Sequence, residues 1–251
     1  MGQSVEAQPP EVVTFKTDTT FASPNDFYYF VHMEGKARAT VLDGQIVSGL
    51  RTYQKSSAAV FGGWVNQLAA YDQTYMEVFP GAFINTYIYT DNAAVVDLRG
   101  GRMPDRYLLS SGSSVVNLYV CEYQFRPGDG KEDDGLFTGK WAADGQEFTL
   151  PLRMAETYSH VRMHLQPLAG DANGDGQVDL GDFGILKDHF GNAGGNSEGD
   201  SNGDGQIDLS DFGLLKRNFG KSVTVAVPEP PALLLGILAA VVAVAHPRRR
   251  H

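Results

Sequence analysis

The sequence predicts three parts in order along the chain. These are a mainly β N-terminal region, either a short β-solenoid or sandwich-like, then a small α unit of two loop–helix repeats, then a single C-terminal transmembrane helix. Three observations predict this order. A repeat of about 18 to 20 residues runs through the first half, an acidic segment that begins at Asp171 recurs at Asp200, and an uncharged run from Pro230 to Ala245 precedes an arginine cluster.

The β region, residues 13–122, follows a start at 1–12 that we expect to be disordered. Segments that begin at Gly44 and Gly62 align at a spacing of 18, and segments from Gly81 and Gly101 continue at about 20. Each repeat reads as a turn glycine, a short alternating strand, a polar turn and a second strand. Such repeats predict stacked coils of a β-solenoid, each burying its face against the next. An antiparallel sandwich with similar strand spacing is the alternative.

The aligned positions predict which side chains share a column of the stack. We expect Val, Leu and Phe to form inward ladders and three tyrosines to stack in file, although Trp64 and these tyrosines could instead contact sugar rings. The aligned residues are Val47/Val65, Leu50/Leu68, Tyr53/Tyr71 and Val60-Phe61/Val78-Phe79, with Tyr89 as the third tyrosine.

The period is lost from Glu122 onward, and residues 123–166 predict a different structure. The pattern indicates a β-hairpin with its turn near Asp144-Gly145, followed by one more strand. We expect this capping region to cover the open end of the stack. A solenoid otherwise ends in a coil whose apolar face has no neighbour.

Two near-identical dodecapeptides, "DANGDGQVDLGD" and "DSNGDGQIDLSD", begin 29 residues apart at Asp171 and Asp200. Oxygen-bearing residues stand at alternate positions, and Gly176 and Gly205 at position 6 permit a sharp bend. Ca²⁺ takes six to eight hard oxygen ligands, which such a loop supplies from side chains and the carbonyl at position 7. The alternative is a pair of acidic turns with no ion. The predicted ligands are Asp171, Asn173, Asp175, Gln177, Asp179 and Asp182, and Asp200, Asn202, Asp204, Gln206, Asp208 and Asp211.

The loops differ from an ordinary EF-hand, although they are EF-hand-like. Position 12 is Asp, and no helical pattern precedes either loop, so each unit is loop–helix. Position 8, Val178 and Ile207, should turn inward and pair across the two loops. Without a cation the carboxylates would repel one another, so we expect folding to depend on the metal.

Residues 168–221 therefore resemble the dockerin type I domain, an F-hand pair. The resemblance implies that this unit binds two calcium ions and docks on a cohesin domain, which tethers extracellular, often polysaccharide-degrading, proteins to a scaffold. In the family, cohesin contact is made by loop positions 10 and 11 and by a basic pair on the helix. The corresponding residues here are Leu180, Gly181, Leu209, Ser210, Lys216 and Arg217.

The C-terminal residues 227–251 resemble the PEP-CTERM sorting signal. Pro228, Glu229 and Pro230 form its motif, an apolar run of sixteen residues follows, and an arginine cluster comes last. At 1.5 Å per residue the run spans about 24 Å, which is shorter than the hydrocarbon core of about 30 Å, and snorkelling of the terminal arginines would make up part of the difference. The resemblance implies processing by an exosortase and, at least before processing, a membrane anchor. The segment from Met1 has no signal-peptide pattern, which we take to indicate a misplaced start.

Composition excludes some functions. The formal charge of −10 speaks against nucleic acid as a partner. The one cysteine, Cys121, lies in an alternating strand pattern and is expected to be a buried structural thiol. Asp72, Glu77, Asp91 and Asp97 are candidates for a glycosidase only by residue type, and we expect Asp97 to be solvated.

We therefore predict an exported cell-envelope protein that carries a two-calcium dockerin-like module and displays a non-catalytic β-solenoid for adhesion or carbohydrate contact. Extracellular polysaccharide is a possible partner, and no catalytic residues are predicted. The alternative is a divergent or truncated carbohydrate-active enzyme, a glycoside hydrolase or polysaccharide lyase, that its dockerin recruits to polysaccharide degradation.

Overall fold

The computed structural model of the chain describes residues 12–23, 27–43, 45–103 and 107–223. In this part of the chain, fifteen strands belong to one continuous sheet that winds around a single apolar core. The strands are β1 (Val12–Phe15), β2 (Thr19–Phe21), β3 (Phe27–Met33), β4 (Arg38–Val41), β5 (Gln45–Thr52), β6 (Ser57–Val60), β7 (Trp64–Ala70), β8 (Tyr75–Val78), β9 (Phe83–Thr90), β10 (Val95–Leu98), β11 (Tyr107–Ser110), β12 (Val115–Pro127), β13 (Asp133–Trp141), β14 (Glu147–Arg153) and β15 (Val161–Leu165).

Each coil contributes two strands, one to each face of a flattened solenoid. The odd strands β1 to β11 pair in parallel on one face, and the even strands β2 to β12 pair in parallel on the other. The parallel pairing excludes the antiparallel sandwich and confirms the predicted β-solenoid.

Inward side chains form ladders, as the repeat predicts. On the even face the Val60 position runs through fully buried aliphatic residues from coil to coil, and on the odd face Leu50 pairs with Leu68. Apolar side chains stacked at the strand spacing leave no room for water. The two ladders are Val41, Val60, Val78, Leu98 and Leu118, and Val31, Leu50, Leu68, Ile88, Leu108 and Leu152.

Two details of the predicted ladders are wrong. Val65 pairs with Ile46 and not with Val47, because the β5–β7 register shifts between Ile46 and Leu50. Phe61 and Phe79 stack on each other at 4.3 Å between ring centroids, but Phe61 is 41 % exposed and lies outside the core. Both phenylalanines follow a buried valine by one residue, and alternation along an extended chain therefore turns them outward.

The tyrosine file is confirmed for Tyr53 and Tyr71, whereas the ring of Tyr89 is tilted by 51° to that of Tyr71. The rings of Tyr53 and Tyr71 stack at 5.0 Å with 4° between their planes, and Tyr89 follows at 5.5 Å from Tyr71.

One turn position in each coil adopts the left-handed conformation. Gln54, Asp72 and Asn92 hold it with φ of 64°, 59° and 59°, and Gly35 and Gly112 hold it in other coils. Their side chains and main chains bond between coils; for example, the Gln54 N–H donates to the Asp72 carboxylate at 2.8 Å. The turns are therefore stacked as regularly as the strands.

The end of the stack is closed by the hairpin of β13 and β14. β13 pairs antiparallel with β12 and with β14, and β14 pairs in parallel with β11, so this hairpin joins the two faces. Trp141, the last residue of β13, is fully buried. Its ring stacks on Phe148 at 4.2 Å, and its indole N–H donates to the Gly101 carbonyl at 3.2 Å. The turn lies at residues 142–146, where the sequence places it, and β15 adds the predicted extra strand along β12.

Among the described residues, three α-helices and one short 3-10 helix (Asn196–Glu198) follow β14. The four-residue α1 (Thr157–His160) precedes β15, and α2 (Leu180–His189) and α3 (Leu209–Asn218) follow the two acidic loops. Within the described ranges, none of the helices combines the length and the apolar composition that a membrane crossing requires. The predicted sorting motif and transmembrane helix at 227–251 lie outside the described residues, as does nearly all of the predicted start at 1–12.

Candidate metal centre

The first and last aspartates of the first loop are buried and point into it. The two carboxylate oxygens of Asp171 accept the N–H groups of Gly174 and Gly176 at 2.8 and 3.0 Å. Asp182 accepts three main-chain N–H groups, from residues 172, 173 and 179, at 2.9, 3.1 and 2.8 Å. The loop is thus wrapped around the two carboxylates that its sequence places at positions 1 and 12.

The second loop repeats this arrangement. Asp200 accepts the N–H groups of Gly203 and Gly205 at 2.8 and 2.9 Å, and Asp211 accepts those of residues 201, 202 and 208 at 2.9, 3.1 and 2.8 Å. Equivalent distances in the two loops agree within 0.1 Å. The duplication in the sequence is therefore a duplication of geometry.

Positions 3, 5 and 9 carry the exposed oxygens of each loop. Asn173 and Asp175 each accept the N–H two residues further on, both at 2.8 Å. Asp179 is the N-cap of α2 and forms a capping box with Asp182, as Asp208 and Asp211 do for α3. Gly176 and Gly205 have φ of 86° and 85°, the positive values that position 6 requires.

The buried negative charge of the loops is not balanced by nearby cationic side chains among the described residues. Asp171, Asp182, Asp200 and Asp211 are all buried, and none of the ion pairs among the described residues involves them. Burial raises the pKa of Asp171 above its usual value, and repulsion from Asp182 and Asp175 adds to this. Burying a charge is costly unless it is paired or binds a metal, so two buried carboxylates in each loop are the kind of hard oxygen ligand that a divalent cation takes.

Acidic side chains alone do not complete the site. Among the residues that the structure describes, there is no group of three or more Asp, Glu, His or Cys side chains placed to hold a metal ion. In each loop, the predicted ligands at positions 3 and 7 are an amide and a carbonyl, and the carboxylate at position 9 is engaged in capping the helix. The twelve-residue ligand set therefore remains a prediction.

The loops are joined through their position-8 residues. Val178 and Ile207 are fully buried in one apolar cluster with Leu186 and Leu215, as expected. Their main chains do not pair with each other. Val178 bonds to the segment after α3, through the Lys221 carbonyl at 3.0 Å, and Ile207 bonds to the segment after α2, through the Asn192 carbonyl at 2.9 Å.

A glycine before each loop, which the sequence analysis did not single out, packs against the helix of the other repeat. Gly170 has φ of 100°, and a Cβ on it would lie 2.8 Å from the Cα of Leu215. Gly199 has φ of 109°, and its Cβ would lie 2.8 Å from the Cα of Leu186. The sequence feature that could have revealed this contact is a glycine immediately before position 1 of each loop, Gly170 before Asp171 and Gly199 before Asp200.

The helical unit is packed on the closed end of the solenoid. Cys121 and Ala142 of the solenoid share an apolar cluster with Leu168 and Leu215. The Asn218 amide donates to the carbonyls of Ala169 and Ala143 at 2.7 and 3.1 Å, and the Lys221 ammonium donates to the Asp144 carbonyl at 2.6 Å.

The predicted cohesin-contact residues fall into two groups. Leu180 and Leu209 are each 74 % exposed, and Gly181, Ser210, Lys216 and Arg217 are exposed too. Arg217 faces the solenoid and donates to the Ala143 carbonyl at 3.0 Å.

A polar network on the solenoid was missed by the sequence analysis. Asp97, expected to be solvated, is only 4 % exposed, and its carboxylate accepts four hydrogen bonds of 2.7 to 3.1 Å. Glu77, Asp97 and Asn117 occupy the same position of successive coils, a 20-residue spacing that could have revealed the cluster. The four donors are Tyr75, Arg99, Asn117 and Tyr119.

Comparison with known proteins bears on the helical unit alone. No curated protein and no solved structure matches the chain. Residues 169–220, which contain both loops and both helices, match the family model of the dockerin type I domain.

Proposed function

We propose that this chain is an exported cell-envelope protein in which each acidic loop binds one Ca²⁺ ion and the solenoid serves adhesion or carbohydrate contact. The observation that carries the calcium assignment is the pair of buried carboxylates in each loop. Among the described residues, none of these carboxylates forms an ion pair with a cationic side chain. Dockerin domains bind calcium in general, and the ligand pattern at positions 1, 3, 5, 7, 9 and 12 of both loops supports two ions.

A cohesin-like domain is the proposed partner of the dockerin unit. The exposed leucines at position 10 stand three residues before Phe183 and Phe212 on α2 and α3, and these two phenylalanines are each 36 % exposed with ring centroids 6.1 Å apart. This apolar surface supports docking through the N-terminal turns of α2 and α3. Because Arg217 bonds to the solenoid, Lys216 is the member of the basic pair proposed for cohesin contact.

The C-terminal segment supplies the remainder of the proposal. The motif at Pro228, Glu229 and Pro230, the apolar run and the arginine cluster support recognition by an exosortase and a membrane anchor before processing. Dockerin domains occur on extracellular or cell-surface proteins, which agrees with export.

The alternative is a glycoside hydrolase or polysaccharide lyase. Glu77 and Asp97 are adjacent on neighbouring strands, but Asp97 accepts four hydrogen bonds and Glu77 lies 3.7 Å from Arg99. A general base requires a carboxylate available to the substrate, and this engagement favours a non-catalytic solenoid.

Calcium titration of the full chain in mild detergent by isothermal calorimetry tests the proposal. We expect two ions per chain, and one ion for Asp182→Ala and for Asp211→Ala, because position 12 contributes the most buried carboxylate of each loop. Asp188→Ala, which changes an exposed carboxylate of α2 outside the loop, should keep both. Failure of the unmodified chain to take up calcium at millimolar concentration would overturn the assignment.

A further inference from the structure

A cleft of about 830 Å³ lies between the outer face of the solenoid and the dockerin unit. One wall comes from the even strands and the segments that follow them. The other comes from the start of the second acidic loop and from α3. Its volume is in the range of ligand-binding sites, which combine apolar surface with a few convergent polar groups.

The solenoid wall is an aromatic platform. Phe61 and Phe79 stack on each other with 9° between their planes, and both rings line the cleft. Next to them in the same column, the Arg99 guanidinium lies 4.0 Å above the ring of Tyr119. Aromatic surface flanked by hydrogen-bonding groups suits a pyranose ring, which has an apolar C–H face and a polar rim.

The facing wall contributes a cation. Arg217 lines the cleft, and one of its N–H groups donates to the Ala143 carbonyl at 3.0 Å. No ion pair of Arg217 occurs among the described residues. A guanidinium carries five N–H donors and binds carboxylates in a bidentate manner, so Arg217 has donors available for an acid group.

We infer that this cleft binds an acidic oligosaccharide, with a sugar ring on Phe61 and Phe79 and its carboxylate on Arg217. The inference rests on the proposed carbohydrate contact of the solenoid and names its site and ligand class.

Calcium and sugar binding are coupled in this arrangement. Asp200 and Asn202, two of the proposed ligands in the second loop, line the same cleft. Without the ion, their loop would present uncompensated negative charge toward an acidic ligand. Calcium therefore both shapes this wall and lowers its repulsion of the sugar carboxylate.

The test measures binding of α-1,4-linked trigalacturonate and of the matching neutral galactotriose to the calcium-loaded full chain by calorimetry. We expect the acidic trimer to bind at least about tenfold more tightly than the neutral one. Phe61→Leu keeps an apolar side chain but removes the aromatic ring, and it should weaken binding of the acidic trimer about fivefold or more. Arg217→Gln should abolish the preference for the acidic trimer.

Trp64→Leu is the matched control, because Trp64 is another exposed aromatic residue of the solenoid, 47 % exposed, and it does not line the cleft. It should bind the acidic trimer as the unmodified chain does. Thermal unfolding and protection of the Cys121 thiol in Arg217→Gln show that the variant is folded and that the dockerin unit remains docked.

Each contrary result overturns a stated part of the inference. Equal affinity for both trimers overturns the acid-group contact, and no binding of either trimer overturns the site. If Trp64→Leu loses binding and Phe61→Leu keeps it, the sugar binds outside the cleft. That result would refute the cleft as the site but would still agree with carbohydrate contact by the solenoid. Binding of the trimer by a chain that takes up no calcium would refute the calcium assignment and the coupling, but not the cleft.

Discussion

Asp97 shows how a single buried carboxylate is held on the outside of a solenoid. It projects from the outer face of β10, yet the side chains of Tyr75, Arg99 and Tyr119 fold over it and exclude water. Burial and the hydrogen bond to Asp97 raise the pKa of Tyr75 above its usual value, so this phenol remains a donor at neutral pH. The outward position of Asp97 in its strand predicted that it would be exposed. The sequence does not show that the long side chains of neighbouring coils cover this carboxylate.

Replacement of Asp97 by Ala should lower the free energy of unfolding by about 3 kcal/mol. The change leaves the partly buried Arg99 without its closest carboxylate and leaves two phenols without their acceptor. Denaturant unfolding in the presence of calcium, followed by tryptophan fluorescence, measures the change. Asp43→Ala, on an exposed turn, should change the value by less than about 0.5 kcal/mol. Similar values for the two variants would show that the network does not stabilise the fold.

Cys121 is a buried thiol that lies within 3.5 Å of the Trp141 carbonyl. Burial raises its pKa to about 11, so the thiolate is a minor species throughout the neutral range. The expected structural role agrees with this environment, because only the thiolate is a nucleophile.

The reaction of Cys121 with a disulfide reagent should therefore be slow at pH 8 and should accelerate about tenfold per pH unit up to the pKa. A reaction in denaturant at pH 8 gives the rate of the exposed thiol for comparison. If the native rate equals the denatured rate, the thiol is accessible and its pKa is not raised.

At the scale of elements, the two loop–helix repeats are held together by a reciprocal contact. The backbone at Gly170 packs on α3, and the backbone at Gly199 packs on α2, so each loop starts against the helix of the other repeat. The sequence predicted the loops, the sharp bend at position 6 and the inward residue at position 8, all of which depend on local spacing. It did not predict the main-chain partners of Val178 and Ile207, because these depend on how the repeats cross.

Gly170→Ala should destabilise the dockerin unit by about 1 to 3 kcal/mol. The added methyl group would clash with Leu215, and φ of 100° is unfavourable for alanine. The unfolding of the calcium-loaded chain, followed by circular dichroism at 222 nm, measures this.

The control is Gly184→Ala within α2, where a Cβ meets nothing within 4 Å. Alanine is a better helix former there and should stabilise the unit by about 0.5 to 1 kcal/mol. Two changes of the same sign would contradict the close contact at Gly170.

At the scale of the whole molecule, the dockerin unit and the solenoid are not independent. Leu168 and Leu215 pack with Cys121 and Ala142, and Asn218 bonds to main-chain carbonyls on both sides of the junction. A loss of order in the acidic loops must therefore disturb the closed end of the solenoid.

Removal of calcium should expose Cys121. Addition of EDTA is expected to raise the reaction rate of this thiol at pH 8 by about tenfold or more, because metal binding and folding of such a unit are coupled. Addition of excess Ca²⁺ should restore protection. An unchanged rate in EDTA, with calcium shown to be released, would mean that the unit stays docked without the ion.

The parts of this fold that could be predicted from the sequence are those whose sequence is repeated. Spacings of 18 to 20 residues gave the coils, because stacked strands demand the same inward residues at each level. The register shift at Ile46 was not predicted, because it depends on one extra residue in a coil. The outward turn of Phe61 follows from alternation after the buried Val60, which the aligned repeat did not take into account. The bond between Arg217 and Ala143 joins residues 74 apart in the chain, and nothing in either segment alone indicates it.

The stacked left-handed turns have a consequence for how such a chain can change in length. A one-residue insertion in a strand would turn the following ladder residues outward unless a register shift absorbed it, as between Ile46 and Leu50, whereas insertion or removal of a whole coil would preserve every column. The protein can therefore vary its reach only in steps of one strand spacing, about 4.8 Å. Each added coil would place the first coil farther from the dockerin unit. The aromatic platform, the hairpin of β13 and β14 and the two acidic loops would keep their positions relative to one another.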